Sequence, residues 1–89
     1  MRKDDNHAPL REGWRRLGGS WLDIVPETGG EPDALIGWRG DDRLIEIKNP
    51  LAPPSRRKPR AKQIAWHRTW RGRPVALVEC LGDMVRLFH

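Results

Sequence analysis

A single cysteine, Cys80, is all the thiol this 89-residue chain contains. That excludes an internal disulfide framework and any zinc site built on clustered cysteines. Tyrosine is absent and phenylalanine is limited to Phe88, so five tryptophans supply nearly all the aromatic volume. No apolar stretch approaches the roughly 20 residues that cross a bilayer. No basic-then-apolar signal segment opens the chain either. These absences lead us to expect a cytoplasmic protein with no membrane partner, in which Cys80 is a buried, inert thiol within the apolar run Val75–Leu81. Residues 1–89 are read as one domain, with 1–7 loose. At 37% hydrophobic residues the core is modest, and a homodimer is expected to help stabilise so small a fold.

Positive charge is what the chain has in excess. The formal net charge is +5, which suits a polyanionic partner. Its distribution says more than its size. Arg56, Arg57, Lys58, Arg60 and Lys62 crowd one short stretch, in a basic, proline-rich loop over residues 51–59 and at the start of the helix that follows. Cations there oppose the helix macrodipole, a conflict that a bound phosphate relieves. These five residues are therefore candidate DNA-backbone contacts, of the kind that position a duplex without reading its sequence.

Periodicity gives the order of elements. Leu10, Trp14 and Leu17 recur at helical spacing after Pro9, and Gly18-Gly19 stops that helix. Ser20–Val25 reads as a strand, followed by strands over Asp33–Trp38 and Arg43–Lys48, the last stopped by Asn49-Pro50. Pro59 opens a second helix that runs to about Arg71. Pro74–Leu81 is a nearly continuous apolar strand of the sort buried on both faces, and Gly82-Asp83 turns the chain. The segment Met84–His89 fits a short strand or one helical turn equally well. Helix, three strands, helix, strand is an α/β order, and the crossover helix requires at least one parallel strand pair in a mixed sheet.

Chemistry concentrates in the central hairpin. Side chains alternate along a strand, so Glu46 and Lys48 share one face while Ile45 and Ile47 enter the core. A two-residue Gly40-Asp41 turn, glycine first, sets Asp33 opposite Lys48 on that same face; an odd loop without a bulge would turn Asp33 away. Two carboxylates and a lysine from neighbouring strands suit a hard divalent cation, Mg²⁺ or Mn²⁺, and phosphodiester hydrolysis. Singly, Asp33 is a turn residue, Glu46 a solvated edge position and Lys48 a cross-strand ion-pair partner. As a set they are candidate catalytic residues.

Gly30-Glu-Pro-Asp33, a short apolar strand, Glu46-Ile-Lys48 and then Gln63 on the next helix together resemble the PD-(D/E)xK nucleases. More narrowly, the chain resembles the small stand-alone VRR-NUC (virus-type replication-repair nuclease) domains of phages. The stretch Gln63-Ile-Ala-Trp-His-Arg-Thr-Trp-Arg-Gly72 is similar to a segment these domains carry before their last core strand. The resemblance covers roughly Asp4 to Leu81. It implies a restriction-endonuclease-like core, metal ligation by Asp33, Glu46 and the main-chain carbonyl of Ile47, and a water- or phosphate-binding role for Gln63. It also implies cleavage of duplex or branched DNA to 5′-phosphate and 3′-hydroxyl ends, with a four-way-junction or flap preference in a homodimer, and a phage or prophage source. The chain departs from the pattern twice. Pro9-Leu10 stands where a first-helix glutamate is usual, leaving Glu12 as the only acid in that helix. Arg57-Lys-Pro-Arg60 replaces the usual Thr-Pro before the helix glutamine.

Other residues are read against simpler roles. Trp66, His67 and Trp70 follow Gln63 on one broad helix face, with Trp14, Trp66 and Trp70 expected as packing and His67 as a packed histidine bonded to a main-chain carbonyl. Trp38 points away from the Asp33 face and is open to base stacking, groove insertion or a dimer seam. His7 and His89 lack zinc-site spacing. The competing function is a DNA-binding or assembly module on the same fold without catalysis; an RNA-binding role has no stacking or loop motif behind it.

Overall fold

In the computed structural model, which describes residues 6–53 and 60–89, the chain runs α1 (His7–Arg16), β1 (Ser20–Asp23), β2 (Ala34–Trp38), β3 (Asp41–Ile47), α2 (Ala61–Thr69), β4 (Ala76–Val78) and α3 (Leu81–Arg86). The four strands form one sheet in the order β1-β2-β3-β4. The first three are antiparallel neighbours, and β4 joins β3 in parallel through the α2 crossover. The expected α/β order with a mixed sheet is therefore present, and a further helix follows the last strand.

One face of the sheet carries the core. Trp14, Ile36, Ile45, Ile47, Val78 and Met84 are its largest fully buried side chains, drawn from α1, alternate positions of the strands and α3. Each aliphatic residue so buried contributes about 1.5–3 kcal/mol. Trp38 belongs to this layer: its ring lies 5.7 Å from Trp14 and 6.2 Å from Phe88, edge-on to both. These contacts pack the partly buried ring against the core.

The β2–β3 turn is Arg39-Gly40, not Gly40-Asp41. Trp38 pairs with Asp41, and both loop residues have positive φ, 54° for Arg39 and 78° for Gly40. That is the type I′ pattern, whose twist matches the flanking strands. The loop is even, so Asp33 keeps the face expected of it, but it falls opposite Glu46 instead of Lys48. At the other end of β3, the Asn49 side chain accepts from Leu51 N (3.0 Å) and turns the chain out of the sheet.

Several expectations fail at the margins. Strand β4 is an edge strand of three residues with Leu77 52% exposed, because no fifth strand flanks it among the described residues. Cys80 is exposed. Gly82 and Asp83 lie inside α3 rather than in a turn, since the Asp83 carboxylate accepts from Glu79 N (2.9 Å) and Cys80 N (3.3 Å) and so starts the helix. Asn6 and His7 are anchored rather than loose: Asn6 Nδ2 donates to Lys48 O (3.2 Å) and Glu79 O (3.3 Å). Buried His7 sits 3.1 Å from Asp23 Oδ1. Leu17, placed on the apolar stripe of α1 by spacing alone, is 48% exposed. Pro59 and the basic residues Arg56, Arg57 and Lys58 lie outside the described residues.

Candidate active site

The face of the sheet opposite the core holds the polar constellation. Asp33 is placed by main-chain bonds: its N–H donates to Ile45 O (3.0 Å), and its Oδ2 accepts from Ile47 N (2.7 Å). This ties the carboxylate to β3 beside Glu46, whose own carboxyl feels the Asp33 charge. Glu46 is 5% exposed and Lys48 9%, unusual burial for ionisable groups unless they are paired. They are paired with each other, Lys48 Nζ standing 3.7 Å from Glu46 Oε2.

Gln63 joins them from α2. Its Nε2 donates to Glu46 Oε2 (2.8 Å), and its Oε1 accepts from Lys48 Nζ (3.4 Å) and from Arg60 N (3.0 Å). The last bond is one half of a capping box; the other half is missing because an arginine side chain has no acceptor. Gln63 therefore starts its helix and bridges acid and base at once. Asp33, Glu46, Lys48 and Gln63 are all brought together, as the sequence pattern anticipates. Ile47 contributes its amide to Asp33.

Two features set the Glu46 carboxylate apart. Glu46 Oε1 is buried with no hydrogen-bond donor. Burial first, and the Asp33 charge second, push the Glu46 carboxyl up to about 7, against the opposing pull of Lys48 and Gln63. A hydrated Mg²⁺ or Mn²⁺ fits such a donor set, since these ions take one or two carboxylates and fill the remaining positions with water and phosphate oxygen. Among the described residues no group of three or more His, Cys, Asp or Glu side chains gathers to hold a metal. Glu12 is exposed on α1 and does not supply a third carboxylate.

The α2 helix is held differently from the expected packing. None of its residues is buried, and Trp70 is 45% exposed. Trp66 and Trp70 stack on each other, centroids 4.9 Å apart and planes 15° from parallel. The helix is seated by Gln63 and by Gly30, where a β-carbon would collide with the Lys62 carbonyl oxygen. His67 does not bond a main-chain carbonyl through Nε2, which is buried without a partner. Desolvation, with Lys48 second, lowers its pKa, which places a neutral imidazole near the lysine. Gly30 opens the Gly-x-Pro-Asp pattern, but its seating of α2, like this setting of His67, depends on how loop and helix meet. Arg60 and Lys62 lie exposed at the α2 N-terminus. No helix among the described residues is long and apolar enough to cross a membrane. No protein-family model, curated protein or solved structure matches the chain.

Proposed function

We propose that this protein is a Mg²⁺- or Mn²⁺-dependent nuclease that hydrolyses DNA phosphodiester bonds on a restriction-endonuclease-like core, as its resemblance to VRR-NUC domains implies. The observation that carries the proposal is buried Glu46, with one oxygen lacking a donor, set between Asp33, Lys48 and Gln63. Asp33, Glu46 and the Ile47 carbonyl are the groups that would hold the ion, which supplies Lewis-acid stabilisation of the phosphate and activation of the nucleophile.

The chain's own groups do the rest. Lys48 brings a fixed positive charge to where negative charge gathers on the phosphate, in a site with little water to screen it. Gln63 holds the Glu46 carboxylate and the Lys48 ammonium by one hydrogen bond to each, so neither must reorganise when substrate arrives. Arg60 and Lys62 flank the site and neutralise phosphates of the bound strand, with Arg56, Arg57 and Lys58 proposed to extend that contact. Cutting both strands, or opposing strands of a junction, needs two such centres and hence a homodimer.

A DNA-binding or assembly module without catalysis is the second reading, favoured by the lack of a third carboxylate at the site among the described residues. Cleavage of labelled duplex, single-stranded, flap and four-way-junction DNA with Mg²⁺ or Mn²⁺ separates the two. A nuclease cuts, stops with EDTA, and loses about 10²–10³-fold in rate on Lys48→Ala, the usual cost of removing one transition-state contact. Binding without cutting, unchanged by Lys48→Ala, selects the module. Calorimetric titration with Mn²⁺ adds a readout independent of turnover: wild type binds the ion and Glu46→Gln does not.

A further inference from the structure

A shallow, open cleft of about 370 Å³ lies between the loop that precedes Asp33 and α2, lined by Thr28, Lys62, Ala65, Trp66 and Thr69. Its two walls are the elements that carry the candidate site: the loop leads into Asp33, and Lys62 is the neighbour of Gln63. The loop wall is tied together by its own hydrogen bonds. The Glu31 carboxylate accepts from Glu27 N (2.7 Å), Thr28 N (3.1 Å), Gly30 N (3.1 Å) and the Thr28 hydroxyl (2.7 Å). Its charge is thereby engaged within its own loop. The helix wall offers an indole already stacked on a second indole, with a lysine at one end and Thr69, whose hydroxyl donates to Trp66 O (2.9 Å), at the other. Lys62 makes no hydrogen bond or ion pair with any described residue, so its ammonium is available to an anion.

An aromatic wall and a free cation beside the proposed phosphodiester site suit a nucleotide whose base is not paired. A base offers a π-face to Trp66 and its phosphate offers charge to Lys62. A paired base cannot enter without leaving its helix, which costs a few kcal/mol. We infer that this cleft is a subsite for an unpaired nucleobase of the DNA strand, which directs the protein to substrates carrying a single-stranded nucleotide beside the scissile phosphate. The inference rests on the nuclease reading for the position of that phosphate, and it deepens that reading by naming the substrate feature selected.

The test is a binding measurement in EDTA, so that catalysis plays no part. Labelled duplexes carry a short single-stranded arm in which the nucleotides are either normal or abasic, identical in charge, beside a blunt duplex control. Wild type should bind the normal arm about tenfold more tightly than the abasic arm, the size of one stacked base, with quenching of tryptophan emission. Ala65→Leu fills the cleft from an exposed helix position and should bring the two arms to equal affinity while the blunt duplex is unaffected. Thr69→Leu, entering from the other end, is the second variant should the first fail to fold. Equal affinities in wild type, or discrimination that survives both fillings, overturns the subsite and leaves the nuclease reading standing. Failure to bind any of the three DNAs sinks the DNA reading itself.

Discussion

The two faces of the sheet are built from the same strands yet hold the molecule in opposite ways. On one, Ile36, Ile45, Ile47 and Val78 meet Trp14 and Met84 with no exposure above 1%. On the other, Leu22 and Leu77 stay more than half exposed, and α2 is fastened through Gln63, Gly30 and a turn. Stability resides in the dry face, where dispersion and burial act over many atoms. Adjacent residues of β3 divide the labour, Ile45 and Ile47 toward the core and Glu46 and Lys48 toward the site. On that face the carboxylates and the lysine are held together by polar contacts to Gln63 rather than by apolar packing.

The sharpest way to break the comparison is to cut the dry face. Trp14→Ala should cost about 3–5 kcal/mol of stability, read as a large drop in the urea midpoint. Leu77→Ala, on an exposed position of the opposite face, should change stability by less than about 0.5 kcal/mol. Comparable losses from the two would mean that the second face is covered in solution, as a homodimer through it would require.

Gly30→Ala comes next, because it touches only the seat of α2. A β-carbon there meets the Lys62 main chain, which cannot rotate aside as a side chain can. Helix and loop must separate, at about 1–3 kcal/mol, and Gln63 is drawn away from Glu46. The expected outcome is a modest fall in melting temperature with a disproportionate loss of DNA cleavage. Full cleavage in this variant would show that Gln63 is dispensable.

Titration separates the faces further. The Glu46 carboxyl stands near 4.5 in the unfolded chain and about 7 in the folded one. A raised carboxyl means that the folded state holds the proton more tightly. Its contribution is fully present below about 4.5 and is lost as pH rises through 7. In EDTA, wild type should therefore lose stability on the order of 3 kcal/mol relative to Glu46→Gln between these limits. Mg²⁺ should restore it above pH 7. A flat difference between wild type and variant over that window would mean that Glu46 is not buried against Asp33 in the free protein.

How far these features can be read from residues alone differs by face. Alternation along Arg43–Lys48 separates Ile45 and Ile47 from Glu46 and Lys48 correctly, because one buried face imposes a strict period of two. The turn position does not follow: glycine at 40 invites a glycine-first hairpin, whereas the strands close one residue earlier and force Arg39 to a positive φ. The run Pro74–Leu81 is apolar throughout, yet composition cannot tell an edge strand from a central one, and the Asp83 carboxylate converts its end into a helix start. Spacing puts Trp66 and Trp70 on one side of α2, but periodicity does not say whether a core lies opposite; the two rings stack on each other and stay largely outside it. Arg56, Arg57 and Lys58 remain sequence-level candidates alone.

The smallest effect belongs to Arg39, where two opposing terms can be weighed. A non-glycine residue at φ 54° costs about 1–2 kcal/mol, less for asparagine, whose side chain bonds locally. Against this, the guanidinium lies 4.5 Å from the Trp38 ring centroid, a contact worth about 0.5–1 kcal/mol at an exposed position. Arg39→Asn relieves the first and forfeits the second, so its net change should be within about 0.5 kcal/mol. Arg39→Lys keeps the strain and weakens the planar stacking, and should be the less stable of the two. Because Trp38 faces the core layer, neither should alter DNA cleavage; a change in cleavage without a change in stability would make the hairpin tip part of the substrate path.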